Sequence, residues 1–458
     1  MTSPLPDLSH LFPSVRETLT REYILGGASY RDVMDLSLSI LAWDLKGNKK
    51  NGPICIATSS KSLVMAALLA SLNGAPPLVL PSSLSDATIA ETCKIIDASA
   101  VLTDHPVAVP KDVYPLVPDR EATDTPARLF VRRHNKPFLW LYTGGSTGAP
   151  KLWPKTPENL IGEAIFLKKK FAIKKTDLFL AAVPPHHIYG LLFSVLLPFV
   201  SGACIADDIP YFPREIIKTA LKSRCTVFIG SPMHYKALST SSFRMARLRH
   251  AFSSGGFLEK SHSAHFSRET GTGVTEVYGS TETGGIATRC QTAGGPSWRP
   301  FSCVRWTIAK GKLVVSSPFL SPNLRTNKTG FFTTGDLASD NHDGTFALYG
   351  RADGIVKIGG KRVDLALIEQ KIKSLPSISE AWVLSLPSRT GRENEVAALI
   401  VTKETLSSIR KAFAGLLEPT QVPRRIVRVR SIPLTQAGKR DHRAALSILS
   451  PPGKDWPA

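Results

Sequence analysis

A glycine-rich stretch ending at Lys151 holds the chain's clearest arrangement of chemically capable residues: glycines, hydroxyl side chains and a lysine lie close together between Leu141 and Lys151. Glycine lets neighbouring backbone N–H groups point towards one anion. The hydroxyls add donors and the lysine adds a positive charge, so the stretch predicts a phosphate-binding loop. It is not a Walker A loop, because Pro150 stands where that pattern needs glycine. A surface turn is the alternative for this stretch taken alone.

Four further segments follow this loop in order. They are Tyr278-Gly279-Ser280-Thr281-Glu282-Thr283; Thr334-Gly335-Asp336-Leu337; Gly350-Arg351-Ala352-Asp353 with Lys357, Gly360, Arg362-Val363 and Glu369; and Pro423-Arg424 with Ile432-Pro433, Thr435 and Gly438-Lys439. With the loop, they resemble the phosphate-loop, Y-G-x-T-E, T-G-D, hinge and C-terminal lysine motifs of the adenylate-forming superfamily, the acyl- and aryl-CoA ligases, adenylation domains and luciferases. The resemblance covers residues from about 140 to 443.

The resemblance implies a two-step activation of a carboxylic acid. The acid attacks the α-phosphate of ATP to give acyl-AMP and pyrophosphate, and a thiol then displaces AMP. Both steps build negative charge, so the site must supply donors and cations. The positions matching the superfamily's nucleotide-binding residues are Thr143, Gly144, Gly145, Ser146, Thr147, Gly148, Lys151, Gly255, Gly256, Tyr278, Gly279, Asp336 and Arg351.

The same resemblance gives individual side chains a role. Glu282 would bind Mg²⁺, because a hard cation prefers carboxylate oxygens, and Thr147 would touch a phosphate oxygen or the same ion. Thr281 would donate to the α-phosphate. Asp336 would accept the ribose hydroxyls, although an aspartate after glycine is also a common turn residue. Arg351 would bring a second cation towards the ribose and phosphates.

Lys439 is the expected catalytic lysine of the first step. A flexible ammonium reaches both the carboxylate and the bridging phosphate oxygen as charge develops. In the superfamily a small domain rotates between the two steps and withdraws this lysine, with Asp353 at the matching hinge position. The surrounding motif, from Ile432 to Lys439, distinguishes this lysine from the other basic residues near the C-terminal end of the sequence.

The acid pocket is predicted around Pro184-Pro185-His186-His187-Ile188-Tyr189-Gly190, which resembles the aromatic-gate motif of acyl- and aryl-CoA ligases. His187 takes the gating position and is counted with the catalytic residues. No acidic residue occurs from His186 to Cys204, which argues against an α-amino acid as substrate. An aryl or fatty acyl acid is therefore expected.

Several positions depart from the superfamily pattern: Leu152 follows the loop lysine where glycine is usual, Phe257 replaces a proline, and Gly354 replaces an acidic hinge residue. The chain is also short for a CoA ligase. These departures favour a compact branch that loads acids onto an acyl carrier protein, with CoA as the alternative acceptor.

Three other functions stay open: a ligase that stops at acyl-AMP, a light-emitting oxygenase and a degenerate scaffold. The scaffold predicts loss of Lys439, Glu282 or Asp336, and all three residues are present.

Composition narrows the class of protein further. Hydrophobic residues make up 43% and charged residues 21% of 458 residues, typical of a globular protein. The apolar run 190–206 is interrupted by Pro198 and Gly202 and predicts a buried helix and strand rather than a membrane span.

Six scattered cysteines and the lack of a secretory segment favour a reducing cytoplasm. The net charge of +20 suits an acidic carrier protein or CoA better than nucleic acid, for which no module is visible. A general basic bias with no specific partner is the alternative.

The sequence predicts strands at Pro53–Thr58, Pro77–Leu80 and Ala100–Thr103, with helical stretches between them. This alternation predicts an α/β fold with a mainly parallel sheet covered on both faces. After Arg351 the pattern changes to a small α+β unit. We therefore expect a large N-terminal domain, residues 1–349, of stacked mainly parallel sheets, to which the resemblance adds a small distorted barrel. Residues 350–458 would form a mobile C-terminal lid that carries Lys439.

Overall fold

The computed structural model describes residues 19–45, 52–107, 109–110, 112–118, 136–143, 151–245, 247–351, 355–358, 361–386, 394–433 and 442–449. Its first layer comprises α1 (Tyr30–Leu45), β1 (Ile54–Ile56), α2 (Lys61–Leu72), β2 (Leu78–Leu80), α3 (Asp86–Ile96), β3 (Ala100–Leu102), β4 (Tyr114–Leu116), β5 (Leu139–Thr143) and β6 (Lys151–Lys155). The strand order is β4-β3-β1-β2-β5-β6.

This first sheet is parallel except for its last strand. Strands β1, β2 and β3 are short, apolar and completely buried, as expected where helices cover both faces. Helix α2 is buried along its whole length and begins at Ser60, whose hydroxyl accepts from the Leu63 N–H. Strand β6 runs antiparallel to β5 and places the glycine-rich loop between two paired strands.

The second sheet and its helices comprise α4 (Pro157–Lys170), β7 (Leu178–Ala181), α5 (Ile188–Gly190), a π-helical segment (Leu191–Leu196), α6 (Leu197–Ser201), β8 (Cys204–Ile205), α7 (Pro213–Ser223), β9 (Val227–Gly230), α8 (Pro232–Leu238), β10 (His250–Ser254), α9 (Lys260–Thr270), β11 (Val274–Ser280), β12 (Gly284–Arg289) and β13 (Arg299–Pro300). The order is β13-β12-β11-β10-β9-β7-β8, parallel from β8 to β11.

The predicted buried helix and strand in residues 190–206 are confirmed. Helical turns from Ile188 to Ser201 lie in the core and lead into β8. Across the ranges given above, no helix combines the length and the apolar character that a membrane crossing requires.

The remaining elements are β14 (Arg305–Ala309), β15 (Lys312–Ser316), β16 (Phe332–Asp340), β17 (Phe346–Arg351), β18 (Ile355–Ile358), β19 (Lys361–Asp364), α10 (Leu365–Lys373), β20 (Ile378–Leu386), β21 (Glu395–Thr402), α11 (Leu406–Leu416), β22 (Arg425–Arg428) and α12 (His442–Leu449). Strands β14 to β17 form a four-stranded antiparallel sheet in chain order. The α/β fold with a large N-terminal and a small C-terminal part is confirmed.

The C-terminal elements have hydrophobic cores of their own. One core lies on one face of the sheet β20-β21-β22, where α10 and α11 pack, and a second lies on the other face with α12. Residues of strand β21 contribute alternately to both cores, as the period of a strand requires. The boundary between residues 349 and 350 stays a prediction.

Candidate active site

A hydrogen bond joins two of the predicted motifs. Tyr278 lies on β11 and Asp336 on β16, and the Tyr278 hydroxyl donates to Asp336 Oδ2 at 2.6 Å. Both side chains are partly exposed. The ring of Tyr278 packs against that of Trp298 at a centroid distance of 5.4 Å. Two residues that lie 58 positions apart in the chain thus meet.

Arg351 lies opposite Asp336 in the antiparallel pair of β16 and β17. A β-bulge between Leu337 and Ala338 sets this register. The backbone therefore brings an acidic and a basic position of two separate motifs side by side, next to Tyr278. A carboxylate that accepts hydroxyls beside a guanidinium position is suited to a ribose with its phosphates.

Strands β5 and β6 bring the two ends of the predicted phosphate loop together. Thr143 and Lys151 are paired across the strands, and Lys151 is exposed to solvent. Gly144, Gly145, Ser146, Thr147 and Gly148 lie outside the described residues, so their contact with phosphate stays a prediction.

The turn between β11 and β12 carries Thr281 and Glu282. Ser280 and Thr283 close this turn, because each backbone N–H donates to the other's hydroxyl, at 3.2 and 3.3 Å. Thr283 is buried, whereas Thr281 and Glu282 are partly exposed. Gly284 has φ of +65°, a conformation that favours glycine. The turn therefore presents the predicted phosphate donor and metal ligand on a fixed backbone.

Three further glycines of the predicted nucleotide site lie within the described residues. Gly255 and Gly256 follow strand β10 and are exposed, and Gly255 has φ of +88°. Gly279 packs so closely on the backbone of Gly284 that a Cβ atom would collide with the Gly284 carbonyl oxygen. Glycine is needed at both places, for conformation at Gly255 and for space at Gly279.

The predicted gate residue His187 is exposed and packs against His186, with ring centroids 4.4 Å apart. Burial, together with the neighbouring His187, lowers the pKa of His186 to about 4. The Tyr189 hydroxyl donates to the Gly230 carbonyl at 3.0 Å and so fixes this segment to the end of β9. These contacts place His187 at the carboxyl edge of the parallel strands, where ligands bind in such sheets.

Sequence reasoning missed two buried charged residues near the turn, Lys155 and Glu163. Lys155 on β6 is 1% exposed and Glu163 on α4 is 2% exposed. Burial lowers the pKa of Lys155, against the attraction of Glu163 and Glu282, and burial raises the pKa of Glu163, against the attraction of Lys155 and the Gly285 N–H. A buried lysine leaves no signal in a single sequence, because lysine is almost always exposed.

Lys439 and Asp353 also lie outside the described ranges, so the catalytic lysine and the hinge stay predictions. The side chain of Arg351 is likewise not described, although its strand position is. Within the described ranges, no group of three or more metal-ligating side chains is found. A Mg²⁺ ion held by Glu282 and by phosphate oxygens is consistent with this, because protein sites for Mg²⁺ commonly use only one or two carboxylates.

The fold and these motifs define an enzyme that binds adenine nucleotides. The family model described as AMP-binding enzyme matches residues 27–313, more than half of the chain. The chain therefore belongs to the AMP-binding enzyme family, within the adenylate-forming superfamily.

Known relatives and structures agree with this family. Sulfoacetate–CoA ligase of Cupriavidus necator is 25% identical, over 66% of this chain and 64% of that protein. The mitochondrial malonate–CoA ligase of Homo sapiens is 25% identical, over 72% of this chain and 69% of its own length. A double mutant of the o-succinylbenzoate CoA synthetase of Bacillus subtilis has a TM-score of 0.70 at 18% identity, covering 94% of this chain and 96% of that one. The chain thus matches just under two thirds of the length of the sulfoacetate ligase, and the structural likeness concerns the fold.

Proposed function

We propose that this protein uses ATP and Mg²⁺ to convert a carboxylic acid to acyl-AMP, releases pyrophosphate, and transfers the acyl group to a thiol. The observation that carries the proposal is the meeting of Tyr278 and Asp336 by a hydrogen bond of 2.6 Å, with Arg351 opposite in the strand register. Residues of three motifs thus lie next to one another, and this arrangement supports a site for a ribose with its phosphates.

The surrounding geometry supports the same reaction. Lys151 and the Thr281–Glu282 turn supply a cation, a hydroxyl and a carboxylate for the phosphates. Bound Mg²⁺ would neutralise the phosphate charge that develops during attack. Lys439 is proposed to approach from the C-terminal part and to stabilise the developing charge, and Asp353 to act as the hinge.

The acceptor is proposed to be CoA or the phosphopantetheine of an acyl carrier protein. The departures in sequence favour the carrier protein, and the names of the sulfoacetate and malonate ligases support CoA. Both acceptors are anionic, in keeping with a net charge of +20. The acid is proposed to carry no amine that the pocket must bind, because the segment from His186 to Cys204 has no acidic residue to pair with an amine.

ATP–pyrophosphate exchange tests the first step. The panel comprises benzoates, cinnamates, fatty acids, malonate and sulfoacetate, and Lys439→Ala is the inactive control. We expect exchange with one class of acid and loss of that exchange in the variant. Exchange that persists in Lys439→Ala would remove the role of this lysine.

The second step needs a separate measurement. Transfer of the radiolabelled acyl group to CoA and to a phosphopantetheinylated carrier protein would identify the acceptor. Tight ATP binding without exchange for any acid would instead favour the catalytically degenerate scaffold.

A further inference from the structure

A buried ion pair lies beside Tyr278 on the second sheet. Arg289 on β12 is the cross-strand partner of Glu276 on β11, and its Nε and Nη2 atoms donate to the two carboxylate oxygens of Glu276, each at 2.8 Å. The side chains of this pair are only 10% and 4% exposed. Glu276 and Tyr278 are two positions apart on β11, so their side chains lie on the same face of the sheet. The ion pair is therefore a direct neighbour of the predicted nucleotide-binding tyrosine.

The guanidinium of Arg289 also contacts two aromatic rings. Its Cζ atom is 4.5 Å from the ring centroid of Trp298 and 5.8 Å from that of Phe257, and both distances are within the range of a cation–π contact. Trp298 is buried and packs on Tyr278. Phe257 directly follows the glycines at positions 255 and 256 and is 55% exposed. Arg289 thus connects the tyrosine, through one ring, with the glycine segment, through the other.

Hydrogen bonds hold the same glycine segment at both of its ends. Gln291 Nε2 donates to Glu276 Oε1 at 2.8 Å and to the Leu258 carbonyl at 2.7 Å. At the other end, the Ser254 hydroxyl donates to a backbone carbonyl of β11 at 2.8 Å. The carboxylate that pairs with Arg289 therefore also fixes, through Gln291, where the glycine segment lies relative to β11.

We propose that Arg289 is a positioning residue of the nucleotide site, which sets the spacing between the Tyr278 ring and the Gly255–Gly256 segment for the base of the nucleotide. This inference rests on the proposed function, which places the ribose at Asp336. Nucleotide bases stack on aromatic rings, and the Tyr278 ring is the one that is hydrogen-bonded to Asp336. Arg289 is almost completely buried, so it acts through the two rings that it contacts. Its loss should weaken binding of the base and leave the chemistry at the phosphates unchanged.

Calorimetric binding of AMP tests the proposal without turnover. Arg289→Met alone would leave Glu276 buried without its cation, which destabilises a fold whatever else the arginine does. The test variant therefore combines Arg289→Met with Glu276→Gln, and Glu276→Gln alone is the reference, because its amide oxygen can still accept from Arg289. We expect the double variant to bind AMP about 10-fold more weakly than the reference, because the base loses part of its stacking contact.

Two further measurements separate positioning from general support of the fold. Arg289→Lys keeps a charge opposite Glu276 but loses the flat group that contacts both rings, so it should also weaken AMP binding. In ATP–pyrophosphate exchange, the KM for ATP should rise in the double variant, whereas kcat should change less than about 2-fold.

Arg249→Met is the matched control. Arg249 also pairs with a buried carboxylate, that of Asp177, at the amino ends of strands in the same sheet. Its substitution should lower the melting temperature at least as much as the double variant does, and it should leave AMP affinity unchanged. Equal AMP affinity in the double variant and the reference, a fall in kcat without a rise in KM, or weaker AMP binding in Arg249→Met would overturn the proposal. A wild-type protein that does not bind AMP would contradict the proposed function instead.

Discussion

At the residue scale, the Tyr278 hydroxyl orients the carboxylate that is proposed to bind the ribose. Tyr278→Phe keeps the aromatic ring that packs on Trp298 and removes the hydroxyl that donates to Asp336. A hydrogen bond to a charged group contributes about 1.5–3 kcal/mol, so we expect ATP to bind at least about 10-fold more weakly. Isothermal titration with ATP measures this change.

Tyr114→Phe is the matched control for this substitution. Tyr114 is an exposed tyrosine on β4, at the edge of the first sheet farthest from β5 and β6. Its substitution should leave ATP affinity unchanged. Equal affinities in Tyr278→Phe and the wild type would mean that Asp336 does not depend on this tyrosine.

A second residue, His234, should make stability depend on pH. Burial lowers the pKa of His234 to about 4, and its Nδ1 accepts from the Ser231 N–H at 3.0 Å. In the unfolded chain histidine titrates near 6.5. The neutral form therefore stabilises the fold above pH 6.5, and this contribution is lost as the pH falls towards 4.

The loss in unfolding free energy over this range should reach about 3 kcal/mol. His234→Gln keeps a capping acceptor at the same helix position and removes the titration. Urea unfolding between pH 7 and pH 5 should give a flatter dependence in the variant than in the wild type. Parallel pH dependences would show that His234 makes no such contribution.

Much of the site was predictable at this scale because its residues stand in contiguous motifs. Tyr278, Glu282 and Asp336 are each recognisable within a few neighbouring positions. Lys155 and Glu163 are not, because their importance arises from burial beside a turn more than a hundred residues away in the chain. Only the tertiary structure brings Glu163 to Gly285 and Lys155 to Phe319.

At the element scale, replacing either of two helical glycines by alanine should change the unfolding free energy, in opposite directions at the two positions. Gly162 lies in the interior of α4, and a Cβ atom there would meet nothing within 4 Å. Gly162→Ala should therefore raise the unfolding free energy by about 0.5–1 kcal/mol. At Gly190 the Cβ atom would collide with the Pro184 carbonyl oxygen, so Gly190→Ala should lower it by about 2 kcal/mol or more.

Thermal unfolding of both variants checks these signs, and exchange activity checks the site. Gly162→Ala should leave exchange intact. A lower melting temperature for Gly162→Ala, or an unchanged one for Gly190→Ala, would contradict the packing described for the two helices.

The strands that the sequence predicts and those that it misses differ in burial and in proline content. The predicted strands at Pro53–Thr58, Pro77–Leu80 and Ala100–Thr103 are confirmed as β1, β2 and β3, whose apolar runs are completely buried. Strands β4 and β6 were missed, and each contains a proline. They are the two edge strands of the first sheet, where a missing N–H donor costs no ladder bond.

At the scale of the whole molecule, the C-terminal part of the chain carries an excess of basic residues. Residues 351–458 contain 19 Lys and Arg and 10 Asp and Glu, a net of +9 out of the +20 of the chain. Composition shows this charge and indicates an anionic partner, but it does not identify that partner. A basic C-terminal part would attract an anionic thiol before transfer.

Salt should therefore weaken the use of an anionic acceptor. With ATP and the acid saturating, we expect the KM for CoA to rise about 10-fold between low and physiological ionic strength, as screening shortens the reach of surface charges. N-acetylcysteamine, an uncharged thiol with the same reactive end, is the matched acceptor and should show an unchanged KM. An equal rise in KM for both thiols would show that salt acts on nucleotide binding or on folding, and not on the acceptor. If CoA alone responds, the positive charge acts on the acceptor, and a carrier protein that responds more steeply would be the acceptor that this charge favours.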